Sequence, residues 1–218
     1  ALDCVRHLQA EEFDVAVSYD MKVDHGMTVP LMQLTGALAR YDVLPVFINC
    51  AADPRPSFAR VRRFGAAVGR FLGGQSDLRI TLIGSGGLSH DPPTPRMDKT
   101  SASVATRLIN RQTPTREELA AREARVVQAA RDLVDRKGPC LPPNEDWDRG
   151  FMDKLMRYDT AALDAITDRE IDRVAGFGAH EVRTWVAAMA AGRELGQVEP
   201  AIDYYTIIPE WLTGMGIV

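Results

Sequence analysis

The sequence predicts an α/β fold in which helices flank a mainly parallel sheet and the C-terminal half is more helical. Three observations support this prediction. Apolar, strand-like runs alternate with segments of helical periodicity in the first half, two helix-capping patterns mark the second half, and 45% of the 218 residues are hydrophobic. A chain of this length can bury one sizeable core, so we expect a single domain over residues 1–218.

The first half is predicted to alternate strands with helices. Three short apolar runs are the strand candidates, and they span residues 13–19, 43–49 and 78–83. Between the first two, Thr28 is predicted to cap a helix that opens with Pro30. Between the last two, Ser57 caps a helix that ends at Gly73-Gly74. This βαβαβ order implies right-handed crossovers, which bring the carboxyl ends of all three strands to one edge.

The second half is predicted to be mostly helical. Residues 115–118 form a Thr-x-x-Glu capping box, and the helix that follows should end at Gly138-Pro139. Residues 167–170 repeat the pattern at the start of another helix. A last helix should begin around Ala179, and residues 204–208 are typical of a terminal strand or an extended arm.

Composition and charge exclude several classes of partner. The net charge is −4 and there is no basic stripe, so we expect no nucleic-acid partner. No apolar run reaches membrane-spanning length and no signal peptide opens the sequence, which predicts a cytoplasmic protein without a membrane partner. Cys4, Cys50 and Cys140 are odd in number and widely spaced, so they favour reduced thiols over a disulfide framework or a zinc site.

Two of the four histidines, His25 and His90, each follow closely on a predicted strand. In an open α/β sheet the carboxyl ends of parallel strands face one crevice, where ligands bind. Histidine titrates near neutral pH, so both imidazoles are candidate catalytic proton-transfer groups. The alternative is that they are loop histidines that only cap backbone groups.

The glycines at positions 84–87 suggest three familiar motifs, and each of them fails. A dinucleotide fingerprint needs a third glycine where Ser89 stands, and a nucleophile elbow needs a glycine where Ile83 stands. The Lys-Ser/Thr pair of a P-loop is absent. A loop of small residues remains, which ends in His90 and lets the backbone approach a ligand closely, or which only reverses the chain.

Glu181 follows His180, but Thr184 stands where a zinc-protease motif needs its second histidine. The carboxylate lies near the start of the last predicted helix, where the macrodipole favours its ionised form. Trp185 and Ala188 share its helical stripe, so we expect Glu181 to face inward. A buried carboxylate needs a cationic partner or a metal. The alternative is a carboxylate that caps the N-terminus of its helix.

Taken together, these motifs resemble the class III extradiol ring-cleavage dioxygenases, and among them the enzymes that act on 2,3-dihydroxyphenylpropionate. The similarity runs from about Ala1 to the end of the chain. It is carried by residues 23–26, 43–49, 84–90, 180–185 and 209–211.

The resemblance implies a site that binds Fe(II) through two histidines and one glutamate. By position, Glu181 matches the glutamate ligand, and His25 and His90 match the acid–base pair, without indicating which is the acid. In the family the two histidine ligands belong to an N-terminal segment, and none of the four histidines here matches them. We therefore expect residues 1–218 to be a single catalytic domain that lacks an N-terminal segment of a longer subunit.

The implied activity is cleavage of the ring of a catechol, such as 2,3-dihydroxyphenylpropionate or its cinnamate analogue, with both atoms of O2 incorporated. The resemblance places this activity in aromatic catabolism and implies a homo-oligomer. Two alternatives stay open. The same fold could act on an aminophenol or another catechol, or the chain could be a metal-free binding protein on this scaffold.

Overall fold

A computed structural model of the chain describes residues 1–97, 99–110, 113–196, 199, 201–202 and 204–218. These residues are predominantly helical. The helices are α1 (Leu2–Ala10), α2 (His25–Thr35), α3 (Phe58–Gly73), α4 (Ala102–Ile109), α5 (Arg116–Val134), α6 (Glu145–Met156), α7 (Thr160–Asp164), α8 (Asp168–Val174) and α9 (Val182–Leu195). Short 3₁₀ turns lie at Phe177–Glu181 and Pro209–Trp211, and the strands are β1 (Tyr204–Ile208) and β2 (Thr213–Ile217).

The two strands form an antiparallel hairpin near the C-terminus. Tyr204 pairs with Ile217 and Ile208 with Thr213, so the predicted terminal strand at residues 204–208 is confirmed. An isolated bridge between His90 and Thr213 ties the hairpin to the glycine-rich segment. The end of the chain therefore lies against one of the predicted site residues.

The predicted mainly parallel sheet is not found among the described residues, whose sheet is the two-stranded hairpin. The runs at 13–19, 43–49 and 78–83 are irregular segments instead. A strand is stabilised by cross-strand pairs and by burial of at least one face. These segments leave large side chains exposed, with Tyr19 at 88% and Phe47 at 70%. The predicted α/β class therefore appears here as a helix-rich structure with a small sheet.

Three helix ends that are determined by local sequence agree with prediction, whereas α5 ends at Val134, before the predicted Gly138. The Ser57 side chain accepts a hydrogen bond from the Arg60 amide, and α3 ends at Gly73. Thr115 and Glu118 form both bonds of the capping box at the start of α5. Each of these signals depends on residues within one helical turn, so no tertiary contact is needed to determine them.

Two helix starts differ from prediction. Helix α2 begins at His25, because the Asp24 side chain accepts from the Gly26 amide and caps the helix earlier than Thr28 would. Pro30 consequently lies inside this helix. The last predicted helix is divided, since Phe177–Glu181 forms a 3₁₀ turn before α9 begins at Val182.

The core forms two hydrophobic clusters, and α3 contributes to both. Val61 belongs to the larger cluster, which also holds Phe151 and Val186. Val68 belongs to the smaller cluster, beside Leu8. A side chain at Gly65 or Gly69 of α3 would overlap the backbone of α9, so these glycines let the two helices pack closely. Among the described residues, no helix is both long and apolar enough to cross a membrane.

Candidate functional site

The glycine loop, residues 84–90, lies against the start of α9. The Trp185 indole Nε1 donates to the Gly86 carbonyl at 2.9 Å, and Thr184 Oγ1 donates to the Ser85 carbonyl at 2.8 Å. A Cβ at Gly86 would come within 2.6 Å of the Glu181 carbonyl oxygen. Glycine is therefore required at position 86, because the loop closely approaches the backbone of the 3₁₀ turn that ends at Glu181.

This packing brings His90 and Glu181 together. His90 Nε2 lies 3.9 Å from Glu181 Oε1, and Glu181 Oε2 accepts a 2.8 Å hydrogen bond from the Gly87 amide. Glu181 makes no side-chain cap to its own helix, so the capping alternative is wrong. The expectation of a buried carboxylate is also wrong, because its side chain is 48% exposed. One edge of the carboxylate is thus held by the loop while the group stays open to solvent.

The hydrogen bond made by Nδ1 assigns the tautomer of the His90 ring. Nδ1 lies 2.8 Å from the Leu88 carbonyl oxygen. Because a carbonyl can only accept, this contact assigns a proton to Nδ1. In this tautomer Nε2 holds the free lone pair of the neutral ring, and it is the nitrogen that faces Glu181. The ring is largely buried, at 15% exposure, and has a defined orientation.

The residues that hold the backbone next to His90 in place were not predicted from the sequence. Ser89 and Asp148 are fully buried, and the Ser89 amide and hydroxyl each donate to the Asp148 carboxylate at 2.7 Å. Tyr205 Oη donates to the same carboxylate at 2.9 Å. Burial raises the pKa of Asp148, while the bonds from Ser89 and Tyr205 oppose that change. Asp148 follows two acidic residues at the start of α6, a pattern typical of a solvated helix end.

His25 is the exposed first residue of α2. Asp24 beside it caps the helix through the Gly26 amide. Within the described part of the chain, no hydrogen bond or ion pair joins His25 to His90 or Glu181. A pocket shared by both histidines therefore stays a prediction.

His180 has a structural role one residue before Glu181. Its ring is fully buried, with Nε2 3.1 Å from Asp172 Oδ1 and Nδ1 2.8 Å from Arg183 Nη1. The pKa of His180 is lowered, mainly because the ring is buried. Arg183 is also fully buried and donates to the Pro56 carbonyl and to Asp168. These bonds fix the turn that carries Glu181.

Metal binding at this site would depend on the donor atoms that lie near Glu181. Glu181 supplies one partly exposed carboxylate. A facial triad of the kind that non-haem iron enzymes use needs two imidazoles in addition. Among the described residues, no group of three or more His, Cys, Asp or Glu side chains could hold a metal ion. The residues described here therefore do not form a complete iron site.

The Cys50 thiol is unsuited to nucleophilic chemistry. Cys50 is a free cysteine, and burial raises its pKa to about 11. The reactive form of cysteine is the thiolate, which is scarce near neutral pH when the pKa is that high. The groups that the structure does bring together here are the His90 imidazole and a carboxylate open to solvent.

Comparison with known proteins gives matches along nearly the whole chain. Residues 1–216 match the family described as the catalytic LigB subunit of aromatic ring-opening dioxygenase. A protein of Paraburkholderia xenovorans is 47% identical over 216 residues, covering 99% of this chain and 68% of the relative. A protein of Azotobacter vinelandii is 42% identical over 218 residues, covering 100% and 70%. Both are named 2,3-dihydroxyphenylpropionate/2,3-dihydroxicinnamic acid 1,2-dioxygenase.

Proposed function

The chain belongs to the LigB family of aromatic ring-opening dioxygenases, and from this we propose that it performs extradiol cleavage of a catechol ring with O2. The observation that carries the proposal is the 3.9 Å approach of His90 Nε2 to Glu181 Oε1. It joins a group that can exchange a proton to a carboxylate that is open to a ligand. The family match along 1–216 supplies the class of reaction in which such a pair would act.

The substrate we propose is 2,3-dihydroxyphenylpropionate or its cinnamate analogue. Support comes from relatives that carry this substrate in their names and that are 41–47% identical to this chain over nearly its whole length. An aminophenol or a different catechol is the alternative within the same class of reaction. A panel of substrates separates these possibilities.

The chemistry that we derive for the protein residues is proton transfer. A catechol must lose a hydroxyl proton to become electron-rich enough for attack by oxygen, and we propose that His90 Nε2 exchanges that proton. We propose His25 as the second proton-transfer residue, so that one histidine acts as base and the other as acid.

We propose Fe(II) as the metal, with Glu181 as one of its ligands. When bound, iron would supply positive charge for both catechol oxygens and a binding position for O2. The described residues supply only this one ligand in a suitable place, so the remaining donors would come from outside them.

We further propose that residues 1–218 act as a single catalytic domain in a cytoplasmic homo-oligomer. Support for one domain comes from α3, which contributes to both hydrophobic clusters. Three free cysteines fit a reducing compartment. Large exposed apolar side chains such as Phe47 and Leu34, at 70% and 67%, fit an assembly that covers them.

Oxygen uptake by the full-length protein that contains residues 1–218, supplied with Fe(II) and 2,3-dihydroxyphenylpropionate, tests the proposed function. We expect one O2 consumed per catechol and, with ¹⁸O2, both labelled atoms in the ring-opened product. A parallel panel of other catechols and aminophenols would report a different specificity. Catechol binding without turnover of any substrate would overturn the proposed enzymatic function and favour the alternative of a binding protein.

A further inference from the structure

We propose that Asp148 is a positioning residue that holds His90 in its reactive orientation by accepting hydrogen bonds from the amide and hydroxyl of Ser89. This inference rests on the role proposed above for His90. Asp148 touches neither His90 nor Glu181 by a direct hydrogen bond. Its effect would be transmitted through the backbone of the neighbouring residue.

The contacts between Asp148 and Ser89 restrict Ser89 at two points. The Ser89 amide donates to Oδ1 and the Ser89 hydroxyl donates to Oδ2, both at 2.7 Å. The hydroxyl also accepts from the Asn144 amide at 2.7 Å. Hydrogen bonds to an ionised acceptor are shorter and stronger than neutral ones, and the two bonds from Ser89 to the Asp148 carboxylate have lengths in that range. The backbone that leads into His90 is therefore held against the start of α6.

The C-terminal hairpin also forms hydrogen bonds with Asp148 and Ser89. Tyr205 of β1 donates to Asp148 Oδ2 at 2.9 Å, and the Gly214 amide of β2 donates to the Ser89 carbonyl at 2.9 Å. A Cβ at Gly214 would overlap Oδ2 of Asp148, so this position requires glycine. Helix α6 and strand β2 thus both bond to the residue before His90, and β1 bonds to the carboxylate that holds it.

Burial explains why this arrangement would be sensitive to the identity of residue 148. Asp148 and Ser89 are both fully buried, so water cannot replace a lost partner. A carboxylate accepts from all three donors, whereas an amide oxygen and an NH₂ group cannot satisfy all of them in the same geometry. The loop would have to shift, and a displacement of about 1 Å at a catalytic group can cost about 100-fold in rate.

The first test is the Asp148→Asn variant of the full chain. We expect kcat for ring cleavage to fall about 10- to 100-fold while KM and iron content stay within about threefold of the parent. The matched control is Asp146→Asn, which removes an exposed carboxylate from the same helix. Its kcat should equal that of the parent. An unchanged kcat in a folded Asp148→Asn protein would overturn the proposal.

A double-mutant cycle with His90→Ala separates positioning from general stabilisation. If Asp148 acts through His90, Asp148→Asn should reduce kcat much less in the His90→Ala background than in the parent. An equal reduction in both backgrounds would mean that Asp148 affects activity by another route. Tyr205→Phe removes one donor to the same carboxylate, and it provides a milder variant if Asp148→Asn fails to fold.

A readout independent of activity separates this proposal from the function on which it rests. In ¹H–¹⁵N spectra of the histidine rings, Asp148→Asn or Tyr205→Phe should move the His90 signals and leave those of His7 in place. His90 signals unchanged in both variants would refute the positioning role, even in an active enzyme. His90 signals that move in a protein with no ring-cleaving activity would support the positioning role and contradict the proposed function.

Discussion

His90 and Glu181 meet across the glycine loop, with Nε2 of the imidazole 3.9 Å from Oε1 of the carboxylate. The residues are 91 positions apart, and the contact depends on Gly86 and Gly87. Gly86 allows the loop to approach the 181 backbone, and the Gly87 amide donates to the second carboxylate oxygen. The pair therefore depends on how the loop packs against α9 as much as on the two side chains.

The first prediction concerns His90. His90→Ala should lower turnover by about 100- to 10,000-fold, because it removes a group that exchanges a proton with the substrate. Thermal unfolding and iron content would show whether the protein is otherwise intact. His7→Gln, which changes a histidine on α1, is the control and should keep the parental turnover. Parental turnover in His90→Ala would exclude His90 as a catalytic acid or base.

A second prediction concerns His25, whose exposed position at the start of α2 leaves its role untested by the described contacts. If it is the partner of His90, His25→Ala should lower turnover by about 100- to 10,000-fold and remove one limb of the pH–rate profile. Thr28→Ala, one turn further along α2, serves as the control. A full bell-shaped profile and parental rate in His25→Ala would assign the second proton transfer to another residue.

The helix ends could be predicted from the sequence because their determinants are local. Ser57 and the Thr115–Glu118 box lie within one turn of the backbone groups that they cap. The start of α2 was missed because Asp24 and Thr28 are both good caps, and only the folded chain shows that Asp24 is used. The parallel sheet was predicted from apolar runs, but a run forms a strand only when partners pair with it.

The site could be predicted only in part. His90 and Glu181 were identified through their motifs and the family resemblance, and the structure brings these two together. Asp148 carried no such signal, because its burial depends on Ser89 and Tyr205, which lie 59 and 57 positions away. His180 has a motif-like neighbour in Glu181, yet its ring is enclosed by Asp172 and Arg183. Burial of this kind follows from tertiary packing, which no local pattern encodes.

A third prediction concerns metal binding by Glu181. Glu181→Gln removes the charge but keeps the shape of the side chain, so the full-length protein that contains residues 1–218 should lose most of its bound iron, measured by metal analysis after dialysis. Glu210→Gln, an exposed change in the turn between the two strands, should retain the parental content. Parental iron content in Glu181→Gln would remove this residue from the ligand set.

A fourth prediction concerns the buried arginine beneath the site. Arg183→Met should lower the free energy of unfolding by about 1–3 kcal/mol, because it removes a buried guanidinium that donates to the Pro56 carbonyl and to Asp168. The loss stays moderate because Asp168 keeps Arg55 and His180 keeps Asp172 as partners. Urea unfolding measures the change. Arg169→Met, at an exposed position on α8, should alter stability by no more than about 0.5 kcal/mol. Equal effects of the two substitutions would show that the Arg183 network adds little to stability.

The last prediction is a pH dependence that originates at Asp148. Burial raises the pKa of this carboxyl in the folded protein, so over the window between its unfolded pKa and that raised value the folded state binds more protons. The contribution of Asp148 to the unfolding free energy should therefore decrease as pH rises through this window. Asparagine at position 148 has no such titration.

Urea unfolding of the parent and of Asp148→Asn, measured from about pH 3 to pH 7, isolates this contribution because the other titrating groups are shared by both proteins. The stability of the parent relative to the variant should fall as pH rises and become constant once the folded carboxyl is ionised. A relative stability that instead increased with pH would mean that the hydrogen bonds from Ser89 and Tyr205 outweigh burial and lower the pKa.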